Sequence, residues 1–167
     1  MKKFTSIKES NIVLPENPLY NELTEPILDE PIVNEPIVNE EDSQVTKFFS
    51  KLFESKEMAH IYHLQVNNQD NSLSLHLALD EYYKDLPELI DKLIETYQGQ
   101  YGIVDGYEMI DYKEIKSKTP VEYFENLGEF IKYNKQCISN EDTHLHSIID
   151  DISILLYQTL YKMKFMK

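Results

Sequence analysis

The sequence predicts an all-α protein: a four-helix bundle with a long crossover between helices two and three, preceded by an extended N-terminal arm. After residue 43, apolar residues recur at helical spacing in four segments. Short polar turns join helices one and two and helices three and four, whereas about twenty residues separate helices two and three. A connection of that length can travel along a bundle, so helices two and three could run parallel. An up-down bundle with a decorated loop is the alternative.

The arm, residues 1–43, contains five of the seven prolines and repeats Glu-Pro-Ile three times at a spacing of five residues, from Glu25, Glu30 and Glu35. Proline removes a backbone donor and biases the preceding residue towards extended geometry, so no helix is expected here. Ten acidic residues against three lysines give a net charge of −7. We expect either a solvated arm or an extended motif whose Ile-Val pairs dock on a protein partner.

Residues 44–167 are expected to form the bundle. The first helix is predicted from about Ser43 to Val66, and the turn "VNNQDNS" follows it. The second helix is predicted over 73–98, with a kink at Pro87 and a C-cap at Gly99. Because the turn is short, these two helices should be antiparallel.

The third helix begins with the signature "TPVE". Thr119 is the expected N-cap, Pro120 takes the first helical position and Glu122 completes a capping box. The fourth helix is predicted to begin near Asn140 and to continue to the C-terminus. His144 and His146 lie two residues apart, do not share a helix face, and are interpreted as surface residues at its start.

The second helix carries four candidate metal ligands: His76, Asp80, Asp91 and Glu95. At about 100° per residue they fall within a stripe about 60° wide, at the edge of the apolar face. Imidazole and carboxylate groups are ligands for iron, zinc or manganese. The sequence therefore predicts metal binding along one side of this helix.

A single chain cannot bring all four together, because Asp80 and Asp91 are about 16 Å apart at about 1.5 Å per residue. The helix is therefore predicted to carry two half-sites. A second copy packed antiparallel across a two-fold axis would complete both. The end of helix one places His63 beside His76. His60, one turn earlier, forms a Glu-x-x-His pair with Glu57, as used in di-metal bundle sites.

The stretch "HLQV…SLHLALDEYYKDLPELIDKLIE" resembles the core of the Dps group of ferritin-like proteins. In that family a histidine on helix one, and a histidine, two aspartates and a glutamate on helix two, bind iron at a two-fold subunit interface. By position, the resemblance implies ligands at His63, His76, Asp80, Asp91 and Glu95. It also implies a ferritin-like bundle, a hollow cage and ferrous-iron oxidation and storage. The segments "LIETYQGQYG" and "LYKMK" are similar to uncharacterised ferritin-like proteins of tailed phages.

The charge and composition limit the possible partners and locations. The net charge is −14, and all 16 basic residues are lysines, so no nucleic-acid partner is expected. This departs from the basic tails of DNA-binding Dps members. No apolar run approaches the length of a membrane span, and the N-terminal residues lack an apolar stretch long enough for a secretion signal. The expected location is the cytoplasm of a bacterial host or phage-infected cell, or a phage particle.

Two function classes follow from these observations. One is a homo-oligomeric iron-binding protein with possible ferroxidase activity, in which zinc or manganese are alternative metals. The other is a non-enzymatic assembly or adaptor module that docks through its repeat arm.

Overall fold

The computed structural model describes residues 40–67, 72–108 and 118–166, with side chains from residue 43 onwards. These ranges contain four α-helices: α1 (Glu40–Gln65), α2 (Ser72–Tyr101), α3 (Pro120–Asn134) and α4 (Thr143–Phe165). A short 3₁₀ helix, Lys135–Cys137, lies between α3 and α4. Apart from residues 40–43, which open α1, the predicted arm lies outside the described residues. None of the described helices is long and apolar enough to cross a membrane.

The directions of α1, α2 and α3 follow from side-chain pairs at the two ends of α1. Phe49, near its start, packs its ring 5.5 Å from that of Tyr97, near the end of α2. Phe48 similarly stacks on Phe130 of α3, and the Tyr62 hydroxyl donates to the carbonyl that precedes α3. Both α2 and α3 therefore run opposite to α1 and parallel to each other, which confirms the prediction from the connection lengths.

Helix α4 runs antiparallel to α2, since the Ser74 hydroxyl donates to the Met166 carbonyl at 2.7 Å. In cross-section, α1 and α4 lie diagonally opposite, and so do α2 and α3. The long connection leaves α2 beside the start of α1, where Thr46 donates to the Asp105 carbonyl at 3.1 Å. Lys118, just before α3, lies beside the end of α1, so the described ends of the connection are at opposite ends of the bundle.

A pair of buried hydroxyl groups joins α1 to α2 inside the core. Tyr82 and Ser55 are both fully buried, and their hydroxyl oxygens are 3.0 Å apart. Ser55 also donates to the Leu52 carbonyl at 2.7 Å, so Tyr82 donates to Ser55. The surrounding core includes the buried aromatic and aliphatic residues Phe48, Phe49, Leu79, Leu86, Phe124, Leu127, Ile149, Ile152 and Leu156.

The start of α3 has the predicted capping box. The Thr119 side chain accepts from the Glu122 backbone, and the Glu122 carboxylate accepts from the Thr119 backbone at 2.8 Å. The hydrogen bonds that the Thr119 backbone and then its hydroxyl donate to the Glu122 carboxylate hold the pKa of Glu122 below its usual value. Helix α4 begins at Thr143, three residues after the predicted start.

The end of α2 differs from the prediction. The helix continues through Pro87 and past Gly99 to Tyr101, and Gly102 follows with φ +99°. This left-handed conformation favours glycine, so Gly102 rather than Gly99 terminates the helix. The Gly102 N–H donates to the Gln98 carbonyl at 2.9 Å, and the Gln98 side chain accepts from Val104.

A polar joint connects the end of α2 to the start of α4. The buried Asp142 carboxylate accepts hydrogen bonds from Tyr101 and, at 2.8 Å, from Gln100. These bonds lower the pKa of Asp142, with Tyr101 the larger cause. The exposed His144 ring contacts the Gln100 side chain at 3.1 Å, as expected of a residue at the helix start.

Substitutions in the buried pair should cost unequal amounts of stability. Ser55→Ala leaves the Tyr82 hydroxyl buried without a partner, so we expect a loss of about 1–3 kcal/mol. Tyr82→Phe leaves Ser55 bonded to Leu52, so we expect only about 1 kcal/mol. Adding Tyr82→Phe to Ser55→Ala should recover part of the first loss. Urea denaturation measures the free energy of unfolding of all three variants. A larger loss for Tyr82→Phe alone than for Ser55→Ala alone would contradict this assignment of donor and acceptor.

The joint should make stability depend on acid pH. Because the folded-state pKa of Asp142 lies below its ordinary value of 3.8, the ionised carboxylate stabilises the folded chain. This contribution is complete above that value and is lost as pH falls through the folded-state pKa. The wild-type chain should therefore have a larger free energy of unfolding in urea than Asp142→Asn at pH 7, and the difference should shrink near pH 3. A difference independent of pH would show that the charge contributes nothing.

Candidate metal centre

The hairpin of α1 and α2 brings His63 and His76 into contact. His63 lies in the last turn of α1 and His76 in the second turn of α2, and their ring centroids are 3.8 Å apart. The His63 Nδ1 atom is 3.1 Å from the His76 carbonyl oxygen. Since a carbonyl only accepts, Nδ1 carries a proton in this bond, and in the neutral ring Nε2 then has the lone pair. A backbone carbonyl commonly fixes this tautomer in metal-binding histidines.

Asp80 lies one turn after His76, and both of its oxygens accept hydrogen bonds. Tyr83 donates to Oδ1 at 2.8 Å, and Lys84 donates to Oδ2 at 2.7 Å. The Lys84 bond, followed by that of Tyr83, lowers the pKa of Asp80, so the carboxylate is ionised as a metal ligand must be. A metal ion at this position would have to displace Lys84. The displacement is inexpensive, because the lysine side chain is largely exposed.

Tyr83 connects three members of this cluster, although the sequence reasoning did not select it. Its ring stacks on His60 at 4.5 Å and meets the edge of His63 at 5.3 Å, in addition to its bond to Asp80. Glu57, which forms the Glu-x-x-His motif with His60, pairs with Lys56 at 2.5 Å. The signal for Tyr83 was its position three residues after Asp80 on a helix.

Asp91 and Glu95 lie elsewhere on α2. Both are exposed, and neither forms a hydrogen bond or ion pair with any described residue. The helix is continuous from Asp80 to both residues, and Asp91, the nearer of the two, is about 16 Å from Asp80 along the axis. The structure thus brings His63 and His76 into contact, with Asp80 one turn after His76, and places Asp91 and Glu95 apart from them. Across residues 40–67, 72–108 and 118–166, no three acidic, histidine or cysteine side chains of one chain form a group that could hold a metal ion.

Comparison with known proteins gives a family without an assigned activity. The chain is 25% identical over 119 residues to an uncharacterized 14.6 kDa protein from the mobD-ri intergenic region of Enterobacteria phage T4. That alignment covers 71% of this chain and 87% of the phage protein. No solved structure matches the chain. Residues 63–163, from His63 into the last turns of α4, match a family of unknown function, and the chain therefore belongs to the DUF5856 family.

Proposed function

We propose that this protein binds iron at sites shared by two copies of the chain. Each site would combine His63, His76 and Asp80 of one chain with Asp91 and Glu95 of the other. The observation that carries the proposal is the contact of His63 with His76, which leaves Nε2 of His63 able to bind a metal. An ionised Asp80 carboxylate one turn away supplies the oxygen donor.

A second copy accounts for the separation of the two half-sites. His76 and Asp80 lie towards the start of α2, and Asp91 and Glu95 towards its end, on the same stripe. In an antiparallel pair of α2 helices, each half-site faces its complement, and the two-fold axis generates two equivalent sites. Five ligands from two chains would then meet, where one chain supplies only three.

Exposed leucines beside the half-site support a protein interface at this position. Leu64 follows His63, and Leu73 and Leu77 precede His76 and Asp80 by three residues. Their exposed fractions are 71%, 68% and 55%. Three large apolar side chains around a ligand cluster favour contact with another protein surface, and that contact would exclude water from the site.

The residues divide the chemistry between them. Carboxylates of Asp80, Asp91 and Glu95 favour the harder ferric ion, and the imidazoles of His63 and His76 suit the ferrous ion. The net charge of −14 attracts cations to the surface. Bound iron would supply one-electron transfer to peroxide or oxygen, as the resemblance to the Dps group implies. On the basis of the same resemblance, the proposal includes assembly into a cage that stores iron mineral. Zinc and manganese fit the same donor set.

A non-enzymatic assembly module is the second candidate. Exposed aromatic residues on α4 favour it. Under this alternative the histidine contact is structural, and a phage particle is a possible location. The metal content of protein purified without chelator separates the two candidates, because an assembly module would carry none in stoichiometric amount.

Complementation between two variants tests the shared site. Asp80→Ala and Glu95→Ala should each lose iron binding, measured by metal analysis after gel filtration. Mixed with subunit exchange, they should recover about a quarter of wild-type capacity, because half of the dimers are mixed and each mixed dimer has one intact site. Asp85→Ala, an exposed carboxylate on the other side of α2, is the matched control and should bind normally. No recovery in a mixture shown to exchange subunits would place the site within one chain.

A further inference from the structure

Helix α4 exposes a second apolar face. Its buried side contributes Leu145, Ile148, Ile149, Ile152, Leu156, Leu160 and Met163 to the core. On the solvent side, Ile154, Tyr157, Tyr161 and Phe165 form what we call the α4 ridge, with exposed fractions of 54%, 53%, 59% and 70%. A helix that is apolar on two sides is typical of one that is buried on both.

The ridge is continuous and partly held in place. Its residues are spaced by three, four and four positions, which puts them on one stripe of the helix. The rings of Tyr161 and Phe165 are 5.6 Å apart. The Tyr157 hydroxyl lies 3.2 Å from the point where a Cβ on Gly128 would sit, so the glycine allows Tyr157 to lie closely against α3.

We propose that the α4 ridge binds the α4 ridge of a second copy, with the two helices antiparallel across a two-fold axis. Centred between Tyr157 and Tyr161, this pairing sets Ile154 of each chain opposite Phe165 of the other. The ridge is then its own complement, as a two-fold interface requires.

The charges along α4 select the antiparallel direction. Its acidic residues, Asp150 and Asp151, lie in the first half, and its lysines, Lys162 and Lys164, lie in the last turns. Antiparallel pairing brings the acidic end of each helix towards the basic end of the other, whereas parallel pairing sets like charges together. Both lysines also pair within the chain, Lys162 with Glu81 of α2 and Lys164 with Glu125 of α3.

The area is sufficient for a dimer of moderate affinity. Three aromatic side chains and one isoleucine, each more than half exposed, offer on the order of 400–500 Å² per chain. A standard interface buries about 800 Å² per partner, so polar neighbours on α3, such as Glu129, would complete the rim. This places the expected dissociation constant in the micromolar range.

The ridge contact is separate from the proposed metal site. The metal half-site lies where α2 meets α1, whereas Tyr157 and Lys164 of α4 contact α3. Because α1 and α2 are diagonal to α4 and α3 respectively, the two surfaces lie on different faces of the bundle. Two different two-fold contacts on one chain would link copies into assemblies larger than a dimer.

Sedimentation equilibrium on the full chain tests the ridge. Tyr157→Glu with Tyr161→Glu should weaken self-association at least tenfold, and Tyr133→Glu, an equally exposed tyrosine on α3, should leave it unchanged. The measurements are repeated with Leu73→Lys and Leu77→Lys, which remove the proposed α2 contact, so that any remaining dimer is the ridge dimer. A monomer in that background at about 200 µM, or a mass unaffected by the ridge substitutions, would overturn the proposal. Circular dichroism checks that every variant is helical.

Cross-linking tests the direction of pairing, independently of affinity. In a Cys137→Ser background, chains with Ile154→Cys are mixed with chains carrying Phe165→Cys and oxidised. Antiparallel pairing should produce the mixed disulfide dimer and little of either homodimer. Homodimers formed by each variant alone would indicate parallel pairing and overturn the arrangement. Iron binding is not read in either experiment, so failure of the metal site leaves both results interpretable.

Discussion

The register of α1 against α2 is the constraint on which the rest of the molecule depends. Three contacts fix it: Phe49 with Tyr97 at one end, Ser55 with Tyr82 in the middle, and His63 with His76 at the other end. The aromatic contacts bury large apolar surfaces, and the hydroxyl pair admits one alignment without leaving a buried polar group unpaired. A shift by one turn would remove all three contacts at once. The geometry of the histidine pair is therefore set by the core.

Local signals predicted the helices well because each is amphipathic and the start of α3 carries a capping box. The capping box at Thr119 needs only residues three apart, and the parallel course of α2 and α3 needs only connection lengths. The end of α2 was misjudged because both Gly99 and Gly102 suit a helix end. Tertiary contacts decide between them: Gln98 and Tyr101 bond to the following loop and to Asp142. Periodicity alone contains no such information.

In the candidate site, too, some contacts were predictable from local sequence and others were not. Contact between His63 and His76 follows from an antiparallel hairpin with a short turn, so it was predictable. The roles of Tyr83 and Lys84 were not predicted, because neither residue is a candidate metal ligand. Both act by donating hydrogen bonds to the Asp80 carboxylate. The α4 ridge was also missed, since its apolar residues merge with the core pattern of the same helix. Only the exposed fractions separate the two faces.

The buried tyrosines have a consequence at alkaline pH. Tyr82 and Tyr123 have pKa values raised above the ordinary 10.0, in both cases chiefly by burial, and Tyr123 also donates to the Glu54 carboxylate. Their protonated forms stabilise the folded chain, and this contribution diminishes as pH rises above the unfolded value. The chain contains twelve tyrosines and no tryptophan, so its absorbance at wavelengths beyond the phenylalanine bands comes from tyrosine alone. The phenolate absorbance of Tyr82 and Tyr123 would therefore appear together with base-induced unfolding. Absorbance from these two rings would report directly on the opening of the core.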